Sequence, residues 1–292
     1  DHSSTLRMKK LLIVSLGIIV FILLSLPWVL ILVGRNKLHD YDIPQREQLI
    51  PSTESKKKVL ALFPHPDDEV TVAGTLMRLK EDGHEVILVC LTRGEKGKSS
   101  GLEDEQELAR LRTSEMEESA RLIGADKLVL SDYPDSGIED LGMDSLNQVV
   151  LDLILEHQPD ILISYDSKVG LYGHPDHRLT GKAVEQVFLR EKGKEGFSPE
   201  RLFQVTLCKK QVDVALKLSS GFQRNYPENP EMGLPQPDFS VRTQPYFDRV
   251  LQVMQAHQTQ QQVLKDLMPF HDKVPAWIYS RIFDREYFRE VE

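Results

Sequence analysis

From residue 58 onward, short apolar runs alternate with stretches of helical periodicity, and this alternation restricts the chain more than any other feature. "KVLALF" (58–63), "HEVILVCLT" (84–92), "DKLVLSD" (126–132) and "DILISYD" (160–166) read as strands. Between them stand "EVTVAGTLMRLKEDG" and "EQELARLRTSEMEESARLIG", helices closing on Gly83 and Gly124, then "MDSLNQVVLDLILEHQ" and a helix from Asp176 to Arg190. Repeated βαβ units of this length predict an α/β fold: a Rossmann-like, open, mostly parallel sheet with helices on both faces. Beyond Leu202 the sequence offers one more strand, "LFQVTLC", a proline-rich loop between Tyr226 and Pro237, and a long helix from Tyr246 to Leu267.

The N-terminal part has a different character. Leu11 to Gly34 is a run of 24 residues without a charge, enough to cross a hydrocarbon core of about 30 Å. It reads as one transmembrane anchor. A cleaved signal peptide would have a shorter apolar region and a small-residue cleavage site, which "LVGRNKLHD" does not offer. Met8, Lys9 and Lys10 are read as the native start, so residues 1–10 form a leader and 11–34 the anchor. Residues 35–57, polar and with two prolines, read as a linker, and 58–292 as one α/β domain. Arg7, Lys9 and Lys10 before the span outnumber Arg35 and Lys37 after it, which places the domain on the extracytoplasmic side of the bilayer. Thirty-six Lys and Arg against 45 Asp and Glu give a net charge of −9, without a basic stripe, and exclude a nucleic-acid partner. The two cysteines, Cys90 and Cys208, lie in apolar runs and read as buried hydrophobes. The sequence sets no oligomeric state.

Two of the predicted strands run into loops rich in chemistry. "PHPDDE" follows the first strand and "DSKVGLYGHPDH" follows "DILISYD". In an open parallel sheet, ligands bind in such loops at the carboxyl ends of the strands. No G-x-G-x-x-G follows a strand, and neither a Walker lysine nor a G-x-S-x-G elbow is present. Catalytic zinc takes three ligands from His, Asp, Glu or Cys and keeps a place for water. His65 and Asp68, three residues apart, can turn to one point, and a histidine of the second loop completes a set. Taken singly, Asp67 or Asp68 reads equally as a helix N-cap, and His174 and His177 as surface histidines beside a proline turn. The combination at two strand ends points to zinc, one ion per chain.

The pair "PHPDDE" and "YGHPDH", about a hundred residues apart, resembles the PIG-L/LmbE family of zinc-dependent N-acetylglucosaminyl deacetylases. "LTRGEKG", "RTSEMEESARLIG", "YPDSG" and "AHQTQ" support the likeness. The resemblance implies that His65, Asp68 and His177 bind the metal, that Asp67 is the general base, His174 the catalytic histidine and Asp176 the acid that orients it. It further implies that Tyr172 polarises the amide carbonyl and that Arg112 and Asp135 contact the sugar. The family more often has alanine where Pro64 stands. From the residues alone, Arg112 reads as an exposed helix charge paired with Glu115, and His257 as a structural hydrogen bonder.

The function these readings imply is a membrane-anchored hydrolase that removes acetyl from an N-acetylglucosamine-type conjugate, lipid-linked or glycan-linked. An amidase on a thiol-sugar conjugate and a non-catalytic sugar-binding protein of the same fold are the alternatives. Asp67 separates enzyme from binder, since a binder has no use for a base beside the metal.

Overall fold

The computed structural model describes residues 2–97 and 101–292. In chain order the elements are α1 (His2–Leu38), β1 (Gln45–Arg46), β2 (Lys58–Phe63), α2 (Ala73–Glu81), β3 (Glu85–Thr92), α3 (Glu105–Ile123) and β4 (Lys127–Tyr133). Then follow α4 (Met143–His157), β5 (Ile161–Tyr165), the single turn α5 (Gly170–Gly173), α6 (Pro175–Glu191), β6 (Arg201–Thr206), α7 (Lys209–Leu218) and α8 (Ser220–Asn225). The chain ends with β7 (Phe239–Arg242), α9 (Phe247–Ala256), α10 (Gln261–Leu267), α11 (Ala276–Ile282) and β8 (Arg285–Val291).

The strands form one sheet in the order β1-β7-β8-β6-β5-β2-β3-β4. β2 to β6 are mutually parallel, and β8 runs antiparallel to both β6 and β7. This is the expected mostly parallel α/β sheet. Successive residues of a strand point to opposite faces, and β2 divides accordingly. Val59, Ala61 and Phe63 pack with α2, α3 and α9 on one face, while Leu60 and Leu62 pack with α4 and α6 on the other. Burial of both faces explains why the central strands are continuous apolar runs. After β2 the chain moves outward through β3 and β4, then returns to place β5 on the other side of β2. The carboxyl ends of β2 and β5 therefore flank the point where the winding reverses, which is where such sheets bind ligands.

Three expectations need correction. Residues 35–57 are not a free linker: β1 pairs with β7, and Leu49 and Ile50 are each only 1% exposed. Two-residue strands and an isolated apolar pair carry no periodicity, so composition alone made the segment look loose. The long helix from Tyr246 to Leu267 is broken at His257, whose φ of −81° and ψ of 67° leave the helical region. The C-terminal strands β7 and β8 were not foreseen. α1 agrees with the sequence: Leu6–Leu38 is long and apolar enough to cross a membrane, and most of its large apolar side chains are exposed. Both cysteines are buried and free.

Candidate active site

The loop after β2 is shaped by its own acids. Asp68 folds back to accept the His65 N–H at 2.8 Å, and Pro64 O accepts from Thr92 N and Oγ1 at the end of β3, both at 2.9 Å. Asp67 takes φ 98°, a left-handed conformation that residues with a side chain rarely adopt. Its N–H donates to Glu69 Oε2 at 3.0 Å. Glu69 is fully buried and its other oxygen accepts from Ser119 and meets His257 Nε2 at 2.6 Å. The second loop turns at Gly170 and Gly173, both at positive φ. A Cβ at Gly173 would lie 1.9 Å from Asn225 O, so only glycine fits there. His174 then caps α6, its Nδ1 accepting from Asp176 N at 3.2 Å.

Three side chains from the two loops meet. His65 Nδ1 lies 3.2 Å from His177 Nε2, His177 Nε2 lies 3.1 Å from Asp68 Oδ1, and His65 Nδ1 lies 3.5 Å from Asp68 Oδ2. The edges of a tetrahedron with ligand distances of 2.0–2.2 Å are about 3.3–3.6 Å, so the spacing fits zinc. The hydrogen bonds behind the donors fit as well. His177 Nδ1 faces the carbonyl of Gly170 at 3.2 Å and donates to it, which leaves Nε2 with a bare lone pair. His65 Nε2 faces Asp176 Oδ2 at 3.1 Å and Asp135 Oδ1 at 3.2 Å, so its proton there leaves Nδ1 as the inward atom. Tyr165 donates to Asp68 Oδ1 at 2.9 Å and stacks on the His177 ring with centroids 4.4 Å apart. Two imidazole nitrogens and a carboxylate thus point at one place, each oriented from behind, as metal ligands are.

Two further groupings surround this one: His65, His174 and His177, and His65, Asp135 and Asp176. In the second, the His65 N–H satisfies both carboxylates, so the arrangement needs no ion. Burial opposes charge on Asp135, but His65, the Lys96 N–H and Arg112 together outweigh it and hold its pKa below the usual carboxylate range. Burial also opposes charge on Asp68, and the two histidines beside it again prevail and keep it ionised.

Asp67 stands apart from its neighbour. Burial pushes its pKa up to about 6 against the pull of Arg112, which places it near the value a general base needs at neutral pH. Burial lowers His174 to about 4, assisted by His65 and His177, so it is a neutral ring. With Nδ1 accepting, its proton sits on Nε2 and is available as a donor. Burial raises the Tyr172 hydroxyl above its ordinary value, so it too remains a donor; its ring lies 6.3 Å from His174 and 4.9 Å from His177, centroid to centroid.

Two sequence readings change here. Asp176 does not orient His174 through its carboxylate, because that group bonds His65 and the Ser136 N–H, the latter at 2.8 Å. Arg112 is buried, not paired with Glu115: it donates to Pro66 O and Gly94 O and lies 3.3 Å from Asp67 Oδ2. Glu115 instead accepts from Thr259 N and Oγ1 at 2.8 and 2.7 Å. A signal was available for Arg112, since Leu108, Arg112, Met116, Ser119 and Ile123 form one buried stripe of α3 at helical spacing. Asp135 contacts His65 and the Lys96 N–H. The buried bond between Glu69 and His257 agrees with the structural reading of that histidine.

Residues 60–188 match the family described as "PIG-L: GlcNAc-PI de-N-acetylase". Among similar sequences, a probable N-acetyl-alpha-D-glucosaminyl L-malate deacetylase 2 of Bacillus anthracis is 32% identical over 137 residues, 46% of this chain and 60% of that protein. The diacetylchitobiose deacetylase of Thermococcus kodakarensis is 32% identical over 126 residues, 43% of this chain and 46% of that protein. The matches thus span about half the length of these relatives. Among solved structures, the N,N'-diacetylchitobiose deacetylase of Pyrococcus horikoshii aligns at 26% identity and TM-score 0.57, covering 80% of this chain and 84% of that one. A 4-carboxy-2-hydroxymuconate hydratase from Pseudomonas putida shares the fold at 18% identity and TM-score 0.52, covering 81% of this chain and 96% of that one. Fold alone therefore does not fix the reaction. Every donor and acid of the cluster lies in residues 60–188, the segment that is similar to the PIG-L family.

Proposed function

We propose that this chain is a zinc-dependent deacetylase that hydrolyses the acetamide of an N-acetylglucosamine-type conjugate. The observation that carries the reading is the convergence of His65 Nδ1, Asp68 and His177 Nε2, all lone-pair groups, beside an acid that is not needed as a ligand. These three would hold a zinc ion, which when bound would supply the Lewis acidity that makes water nucleophilic near neutral pH. Asp67, with its pKa near 6, takes the water proton as the new C–O bond forms. The carbonyl oxygen gains charge and accepts hydrogen bonds from His174 Nε2–H and the Tyr172 hydroxyl. The C–N bond then breaks, the amine leaving with a proton handed on by His174 or returned by Asp67, and acetate is the second product. Asp176 and Asp135 hold the His65 ring, and Arg112 holds the loop and Asp67 from below.

The relatives named above act on N-acetylglucosamine joined to malate or to a second sugar, and a Rhodococcus jostii relative acts on an N-acetylglucosamine-inositol conjugate. This supports the amino sugar and leaves the aglycone to the surface around the site. The apolar run of α1 supports a single-pass anchor, with the domain on the extracytoplasmic side and the substrate carried on a lipid or a surface glycan. The test uses the full chain in lipid nanodiscs. Elemental analysis should find about one zinc per chain, and acetate should be released from N-acetylglucosamine conjugates. Asp68→Ala should lose both the metal and the activity; full zinc content in that variant, or acetate release after chelation, would sink the reading.

A further inference from the structure

An apolar cavity of about 420 Å3 lies where α1 joins the body of the molecule, with walls from Leu38 of α1, Val214 and Leu218 of α7, Phe222 of α8, Val250 of α9 and Leu267 of α10. That volume is within the range of ligand sites. Of the charged side chains on its edge, Lys37 is exposed, and Glu286, Arg285 and Asp266 are tied elsewhere. Glu286 accepts from Gly74 N and Thr75 N at 3.0 and 2.9 Å, Arg285 donates to Asp284 at 2.7 Å, and Asp266 accepts from Ser220 at 2.5 Å. What faces the space is mostly hydrocarbon, and cavities of that kind take apolar guests.

Its depth relative to a bilayer is fixed by the way α1 is held. Gly34 and Lys37, also on the cavity wall, border the end of the uncharged run. A Cβ at Gly34 would lie 2.9 Å from Ile282 of α11, so the helices touch there. Arg35 pairs with Asp284 at 3.1 Å and His39 with Tyr287 at 3.0 Å, which prevents α1 from swinging. Trp28 of α1 and Trp277 of α11 meet with ring centroids 6.1 Å apart. Trp277 and Phe270 are 45% and 53% exposed, a placement that suits the aromatic layer at a membrane surface.

We propose that this cavity takes a hydrocarbon chain of a lipid drawn from the bilayer in which α1 stands, an inference that rests on the anchor proposed above. The chain is continuous in chemistry with the hydrocarbon around α1 and enters at the junction of α1 and α11. Seated there, it packs against Val70 and Thr71, which closely follow Asp68, and against Leu171, which precedes Tyr172. The lipid thus braces the two loops that carry the metal donors.

The test reconstitutes the full chain in nanodiscs containing a phosphatidylcholine with a diazirine at the end of one acyl chain. Photolysis followed by peptide mass spectrometry maps the labelled segments. Label is expected on α1 and on segments 205–222 and 267–283. Ala215→Trp, which fills the cavity, should reduce label on those two segments at least tenfold and leave α1 unchanged; Leu218→Trp does the same from another point of the wall if the first variant folds poorly. Label on α1 alone overturns the cavity site and leaves the anchor standing. Equal label on the cavity segments in folded filled variants also overturns it. Absence of label on α1 removes the anchor and this inference with it. None of these readouts depends on turnover, so the deacetylase reading stands or falls separately.

Discussion

Asp67 holds a left-handed backbone at φ 98°, a conformation that costs on the order of 1–3 kcal/mol and persists only where its surroundings impose it. Here Glu69 holds its N–H and Arg112 its carboxylate and the preceding carbonyl. The strain turns Asp67 away from the fold of Asp68, so that adjacent acids serve different ends. Changing Asp67 to asparagine keeps size and hydrogen-bonding reach but removes the proton acceptor. Zinc content and substrate affinity should hold, while turnover falls by roughly 10²- to 10⁴-fold, the range for losing a positioned general base. Steady-state kinetics and metal analysis of the two proteins side by side decide it; unchanged turnover would make Asp67 a structural turn residue. The meeting of His65, Asp68 and His177 was legible because the three cluster in short motifs. The supporting shell was not, since Glu69, Ser119 and His257 lie 50 to 188 positions from one another in pairs that only the fold brings together.

At the scale of elements, the central strands were readable and the edge was not. β2 and β5 are buried on both faces and so are unbroken apolar runs, whereas β8, "REYFREV", carries four charges in seven residues. Three of the four have a local answer in the fold, Arg285 with Asp284, Glu286 with the start of α2 and Arg289 with Gln204 at 3.0 Å, and no periodicity announces that. Glu286 of the same strand caps α2 through Gly74 N and Thr75 N. Burial nevertheless raises its pKa to about 7, from an ordinary 4.5. A carboxyl group with a raised folded pKa binds its proton more tightly in the native state, so stability falls as pH rises from about 4.5 to about 7 and is level above. Glu286→Gln should remove this component. Melting temperatures of the variant and the parent should diverge with rising pH across that window, the variant being relatively more stable at pH 8 than at pH 5. A constant difference over the whole range would show that Glu286 titrates normally.

For the whole molecule, the decisive question is where the folded body begins. Composition placed the boundary near Lys58, with everything after Gly34 as tether. The fold places it at the end of α1: His39 is buried against Tyr287 and Ile282, β1 extends the sheet, and Leu49 and Ile50 sit in the main core. Full burial of two such side chains contributes about 1.5–3 kcal/mol each. A chain beginning at Pro51 loses both, together with β1 and the Arg35 and His39 contacts to the last strand region. A chain beginning at Arg35 keeps them and discards only the apolar helix. Compared in detergent-free buffer, the longer chain should melt cooperatively and retain zinc, and the shorter should melt at least about 6 °C lower, given that 1 kcal/mol shifts a domain of this size by about 2–4 °C. Equal melting temperatures and equal metal content would return residues 35–50 to the status of a tether and remove the mechanical link between α1 and the sheet.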